Sequence, residues 1–387
     1  MAVCLAAGAQ GGTVADSLKI SLLTCGAGEE VYNLFGHSAI RIQDTKEGTD
    51  YVYNYGIFSF DTPNFALRFT LGQTDYELGV QYYQDFIFNY RYHHREVYEQ
   101  DLNLSPGEKK KLAALLNENY LPQNRVYRYN YFYDNCATRP RDMIEKAING
   151  SIEYAEDMET PVKGTSYRSL LHQYTRYSPW SRFGIDLCLG SEADRPISRR
   201  AAMFIPFHLQ EDFATAQIID TRGVARPLVT ASEKIVQINQ NFSESADTIF
   251  TPLRIFLLLF IVIGSITIRD IRHKKSMWGV DVILFLSAGV AGCILAFLAL
   301  FSQHPAVSPN YLLIVFHPLH LLCLPWIANK VRNREKSLYL TVNTAIFILF
   351  LILWPVFPQK FPTEVLLLVI ILLIRSLSHL LISHQKA

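Results

Sequence analysis

The sequence predicts an α+β domain followed by an all-α transmembrane bundle of five helices. Three observations carry this reading. Up to about residue 245 the chain is mixed and rich in tyrosine, with strand-like alternation interleaved with helical periodicity. From residue 249 onward, five apolar spans separate: roughly Leu253–Ile268, Val280–Phe301, Tyr311–Ile327, Leu338–Phe357 and Val365–Ile382. Each is near the ~20 residues that a bilayer core requires. Arg269, Arg272, Lys274 and Lys275 follow the first span and Lys330, Arg332, Arg334 and Lys336 the third, whereas the loops after the second and fourth hold only Lys360. The positive-inside rule then makes the first and third connections cytoplasmic and puts the N-terminal domain on the other side.

The chain has 387 residues, and its net charge of +1 argues against a nucleic-acid partner. Cys4, Cys25, Cys136, Cys188, Cys293 and Cys323 show no metal-ligand spacing, so neither a metal nor a cofactor is expected. Residues 1–10, with small residues at Ala7-Gly8-Ala9, read as the remnant of a secretory signal. Residues 11–248 then form the extracytoplasmic domain and 249–387 the membrane domain.

In order, Lys19–Thr24 is a strand and Glu29–Phe35 a short helix stopped by Gly36. His37–Ile42 and Tyr51–Tyr55 form a hairpin across the polar turn Asp44–Asp50. Alternation puts Val52 and Asn54 on one face and Tyr51, Tyr53 and Tyr55 on the other. The aromatics between residues 58 and 100 read as core, or alternatively as a greasy rim for lipid. Ser105–Tyr120 is a helix with Ser105 as cap, Pro106 in the first position and Glu108 completing a capping box. Residues 150–245 show turn signals but no clear order; they either cover a cleft or dock the domain on the spans.

The centre of the chain is Asp134-Asn135-Cys136-Ala137-Thr138-Arg139. A tyrosine-rich extended run precedes it, and Met143, Ile144, Ala147 and Ile148 follow at helical spacing. Cys136 is thus expected at a helix N-terminus, where free N–H groups, Arg139 and Arg141 favour a thiolate. The alternative is a buried structural cysteine. A thiol nucleophile requires a base and the base an orienting partner, which His37 and Asn54 on adjacent strands supply.

Phe35-Gly36-His37-Ser38-Ala39-Ile40, followed far downstream by Asp134-Asn135-Cys136, resembles the circularly permuted papain-like superfamily, which includes lecithin retinol acyltransferase and permuted NlpC-type peptidases. With Leu23-Thr24-Cys25-Gly26, Tyr53-Asn54-Tyr55-Gly56 and Tyr98-Glu99-Gln100, the chain resembles more closely the Lnb family of Bacteroidota, associated with lipoprotein N-acylation. The resemblance covers nearly the whole chain. It implies a permuted papain-like periplasmic domain in the inner membrane and a thioester on Cys136. The acyl donor would be a glycerophospholipid, and the acceptor the α-amino group of a diacylglyceryl-cysteine lipoprotein. His37 is then the base and proton shuttle, and Asn54 its orienter. Asn135, Tyr55, Arg139, Cys25, His304 and Asn310 are the candidate substrate contacts. Four of them have a plainer alternative: an ion pair for Arg139, as for Arg141, a Cys25–Cys188 disulfide, and an ordinary interfacial loop around His304 and Asn310. Cys25 is otherwise an acyl relay or a redox partner of Cys136. Arg375, within the fifth span, either pairs inside the bundle or snorkels to its edge. A phospholipase or peptidase, and a non-catalytic scaffold, are the competing functions.

Overall fold

A computed structural model of the protein describes residues 17–59, 61, 63–238 and 249–384. The signal-like segment and Cys4 lie outside the described residues. Alternating apolar residues build β1 (Leu18–Cys25), β2 (His37–Asp44), β3 (Thr49–Ile57) and β4 (Asp75–Tyr82), which lie side by side and antiparallel. β5 (Val97–Leu102) pairs with the other edge of β1, and the short β6 (Val126–Arg128) adds to β4. β7 (Gly150–Glu153), β8 (Gln217–Asp220) and β9 (Ala225–Pro227) form a small separate sheet. β10 (Val229–Val236) returns to the main sheet, whose order is β10-β5-β1-β2-β3-β4-β6.

The helices of this half are α1 (Phe65–Thr70), α2 (Tyr83–Tyr92), α3 (Pro106–Tyr120), α4 (Thr138–Ala147), α5 (Tyr167–Tyr174), α6 (Pro179–Cys188), α7 (Arg199–Ala202) and α8 (Pro206–Thr215). The expected capping box of α3 is formed, with Ser105 accepting from the Glu108 N–H and Glu108 accepting from the Ser105 N–H. A cap contributes about 1 kcal/mol. Full burial of Leu112 and Leu116 contributes about 1.5–3 kcal/mol each, so packing decides where this helix sits. One face of the sheet (Leu22, Ile40, Tyr53, Tyr55) packs on α3 and α4, the other (Leu23, Cys25, Ala39, Val52) on Phe86, Ile87 and Tyr90 of α2. The expected helix Glu29–Phe35 is only a single 3-10 turn, Val31–Asn33.

The membrane half contains α9 (Pro252–His273), α10 (Trp278–Phe301), α11 (Leu319–Leu322), α12 (Leu324–Asn333), α13 (Leu338–Leu353) and α14 (Thr363–His384). Four spans are unbroken and apolar enough to cross a membrane: Pro252–His273, Trp278–Phe301, Leu338–Val356 and Thr363–His384. The third expected span is not one helix. Tyr311–Leu322 meets Leu324–Asn333 at 79°, beside Pro318 and Pro325, neither of which can donate a helical hydrogen bond. His320 offsets the break. Its Nε2 donates to the Val315 carbonyl at 3.0 Å, and its Nδ1 accepts from the Tyr339 hydroxyl at 2.8 Å. Arg375 pairs inside the bundle rather than reaching its edge: it donates to both Asp281 oxygens at 2.7 Å and to Asp270 at 3.1 Å.

The soluble half stands on one end of this bundle through two footings. Around α1, the Gln303 N–H donates to the Leu71 carbonyl at 2.8 Å, the Ser302 hydroxyl to the Thr70 carbonyl at 2.7 Å, and His304 Nε2 to the Phe69 carbonyl at 2.6 Å. Beyond α6, the Gly190 N–H donates to the Ala306 carbonyl at 2.7 Å and the Ser191 N–H to that of Pro309 at 2.9 Å. Asn310 and Gln359 donate to the Leu187 and Leu189 carbonyls at 2.8 and 2.9 Å. Residues 150–245 therefore include the docking element. Both footings meet the ends of the spans away from the basic connections 269–275 and 330–336, as the charge asymmetry requires.

Candidate functional site

The site begins with the start of α4. The Asn135 side-chain oxygen accepts from the N–H groups of Ala137 and Thr138 at 2.8 and 2.9 Å, while its amide donates to the Tyr131 and Phe204 carbonyls. This turn holds Cys136 two residues ahead of Thr138, the first residue of α4. A Cβ placed on Gly56 would lie 3.5 Å from the Cys136 Cβ, so the cysteine rests against the end of β3. The backbone N–H groups of Ser38 and of Cys136 itself favour the thiolate form of its sulfur.

His37 immediately precedes Ser38 and opens β2. Gly36 makes this turn at φ +81°, where any Cβ would lie 2.6 Å from the Cys25 carbonyl oxygen. His37 Nε2 sits 3.2 Å from Asn54 Oδ1, and Asn54 is buried on β3. The fold thus brings Cys136, His37 and Asn54 into one neighbourhood, although the thiol's polar partners are backbone N–H groups.

Burial dominates the electrostatics here. It pushes the Cys136 thiol up to about 11, against the opposing pull of the Ser38 and Cys136 N–H groups and of Arg95. It pulls His37 down to about 4, opposed by the hydrogen bond to Asn54 and assisted by Arg95. Both residues keep some surface open, yet enough protein surrounds them for desolvation to prevail. Burial thus favours the neutral form of the Cys136 thiol and of the His37 imidazole alike. The standing thiolate expected at the helix start is therefore not favoured, because burial outweighs the backbone N–H groups and the nearby cation.

Arg95 is the cation that local sequence reasoning missed. Its Nε and one terminal nitrogen donate to the Gly26 carbonyl at 3.0 and 2.8 Å, and its guanidinium lies 4.7 Å over the Tyr90 ring. No motif marks it. It reaches the site because Val97, two residues on, pairs with Cys25, which in turn pairs with His37.

The remaining candidates have partners within the protein. Cys25 and Cys188 are free, so the disulfide alternative is not formed. Cys25 is fully buried and hydrogen-bonded to the Tyr90 hydroxyl, and burial pushes its thiol up to about 12. Arg139 is held by both Asp134 oxygens at 2.5 and 2.7 Å and lies 3.5 Å over the Tyr127 ring. Arg141 is paired with Asp142. The Tyr55 hydroxyl donates to Asn119 at 2.8 Å from a fully buried position. His304 and Asn310 belong to the two footings, so they join the halves of the molecule.

Comparison with known families agrees with this two-part architecture. Residues 9–173 match the Lnb N-terminal periplasmic domain, and residues 243–387 match the Lnb transmembrane domain. Searches of curated proteins and of solved structures returned no match. The segment between the two matches carries α6, α8 and β10, and so most of the docking contacts. A multi-pass membrane protein with a periplasmic N-terminal domain, the chain belongs to the Lnb family.

Proposed function

We propose that the protein is an inner-membrane apolipoprotein N-acyltransferase acting through Cys136. The observation that carries this reading is the His37–Asn54 contact beside a cysteine at a helix start, in a domain fastened to the outer ends of membrane spans. Asn54 holds the Nε2–H of His37, which leaves Nδ1 as the lone pair that takes the thiol proton. The Cys136 sulfur attacks an ester carbonyl of a glycerophospholipid. The backbone N–H groups of Ser38 and Cys136, which favour charge on the sulfur, are the donors assigned to the oxyanion that forms. Collapse breaks the carbon–oxygen bond, His37 returns its proton to the departing lysophospholipid oxygen, and a thioester remains. The free amine of a diacylglyceryl-cysteine then attacks the thioester. His37 accepts the amine proton and gives it to the leaving sulfur, regenerating the thiol.

A neutral resting pair suits this sequence, since the thiol ionises only as the imidazole receives its proton during attack. Fastening the domain to the spans also suits two substrates whose chains remain in the bilayer. The test is mass spectrometry of lipoproteins from cells carrying the wild-type chain or Cys136→Ala. Wild type is expected to add one N-linked acyl chain and the variant none. Release of free fatty acid without N-acylation would make the protein a hydrolase, and retained function in Cys136→Ala would make it a scaffold.

A further inference from the structure

We propose that a basic cleft at the site end of the sheet binds the headgroup phosphate of the donor glycerophospholipid, an inference that rests on the acyl-transfer reading. The cleft, of about 570 Å³, is lined by Arg91, His94, Lys234, Val236 and Ile238. Its place relative to the site follows from register. Val236 pairs with Val97, Val97 with Cys25, and Cys25 with His37, in one row across β10, β5, β1 and β2. Three strand spacings of ~4.8 Å, about 14 Å, separate Val236 from His37, and Cys136 lies beyond it against the end of β3, so the cleft and the site share one end of the sheet. Tyr90, next to Arg91 on α2, is itself bonded to Cys25, so the last turn of α2 overhangs the same end of the sheet.

The lining fits an anionic amphiphile. Lys234 is paired with Glu96, but the Arg91 and His94 side chains have no hydrogen-bond or ion-pair partner among the described residues. Guanidinium donors of this kind bind phosphate strongly. Val236 and Ile238 give the cleft an apolar wall, and just outside it Phe88 and Tyr92 stack on each other while each remains 70% exposed. Aromatic rings beside cations are the composition of a surface that meets lipid headgroups.

The test uses the full-length chain carrying Cys136→Ala, so that no acyl group is consumed, in a phosphorus-free maltoside detergent. Dihexanoyl-phosphatidylglycerol or inorganic phosphate is titrated and followed by 31P line broadening. The lipid is expected to bind, free phosphate to displace it only at far higher concentration, and Arg91→Gln/His94→Asn to weaken binding by about tenfold or more. Asparagine is chosen because His94 has φ +51°, a conformation asparagine tolerates. Unchanged lipid affinity in the double variant overturns the proposal, and free phosphate binding as tightly as the lipid assigns the cleft to a soluble anion instead. Failure of N-acylation in cells would sink the acyl-transfer reading while leaving this binding result intact.

Discussion

His37 Nε2 lies 3.2 Å from Asn54 Oδ1, and that contact selects the ring nitrogen left to act as a base. A carboxamide oxygen only accepts, so Nε2 carries the hydrogen and Nδ1 the lone pair. Asn54→Ala leaves the ring free to rotate and its N–H without a buried partner, a cost of about 1–3 kcal/mol. The expected loss in kcat for N-acyl product formation is about 10- to 100-fold, smaller than the loss for His37→Ala. A variant within twofold of wild type would mean that Asn54 does not orient the base.

The neutral resting pair sets the pH dependence of the thiol. Because Cys136 is pushed up to about 11, its thiolate fraction below that value rises about tenfold per pH unit. Iodoacetamide labelling of Cys136 in the substrate-free protein is expected to accelerate continuously from pH 7 to pH 10. A labelling rate already at a plateau at pH 7 would show a standing thiolate–imidazolium pair. His37, held down near 4, remains a base above that pH, so any fall in N-acyl transfer between about pH 8 and 4 is expected to follow protonation of the acceptor amine rather than of His37. Protonation of His37 also opposes folding. Its folded pKa lies below the usual 6.5, so stability from this group is complete above about 6.5 and declines towards about 4.

What was legible in the sequence was whatever local pattern determines. The period-2 alternation around Asn54 placed β3 and its faces correctly, and Ser105 with Glu108 placed α3. The Asn135 turn located Cys136, because side-chain-to-backbone hydrogen bonds of this kind are settled within a few residues. The broken third span was hidden because hydropathy is the same for a straight helix and a bent one; Pro318 and Pro325 were the visible signals. Arg95 and the ionisation of Cys136 were hidden for another reason. Register across three strands brings the first to the site, and burial by the whole domain sets the second, and neither leaves a local motif.

Free cysteines have a direct chemical consequence. Alkylation of the denatured, unreduced protein is expected to label Cys25 and Cys188 without prior reductant. Peptide mapping that recovers a Cys25–Cys188 linkage would contradict the packing of the Cys25 thiol against the Tyr90 hydroxyl.

Arg375 is 1% exposed between Asp281 and Asp270, so α14 is locked to α9 and α10 by a buried ion cluster. Arg375→Ala strands two carboxylates in the bundle, and breaking such a pair costs about 3–5 kcal/mol. Thermal unfolding in detergent is expected to show that loss. Arg375→Ala/Asp281→Ala should be distinctly less destabilised than the sum of its single variants. Additive behaviour would mean the two groups do not interact.

Gly190 separates the docking of the two halves from the chemistry of the site. A Cβ at this position would lie 2.4 Å from the Pro309 carbonyl oxygen, a backbone atom that cannot rotate away. Gly190→Ala must therefore push the 306–310 loop off the strand-like segment after α6, lengthening the hydrogen bonds from Gly190 to Ala306 and from Ser191 to Pro309. Overpacking of this kind costs about 1–3 kcal/mol, and here it falls on the interface rather than on either core. The variant is expected to show faster hydrogen exchange confined to residues 187–194 and 302–311. Iodoacetamide should still label Cys136 at the wild-type rate, since the hydrogen bonds of Gly190 run to Ala306, Ala193 and Arg168. N-acyl transfer should nonetheless fall about tenfold or more, because positioning the site over the bilayer is an orientation effect. If transfer stays at the wild-type rate while the footing exchanges freely, rigid attachment to the spans is not part of how the site meets its lipid.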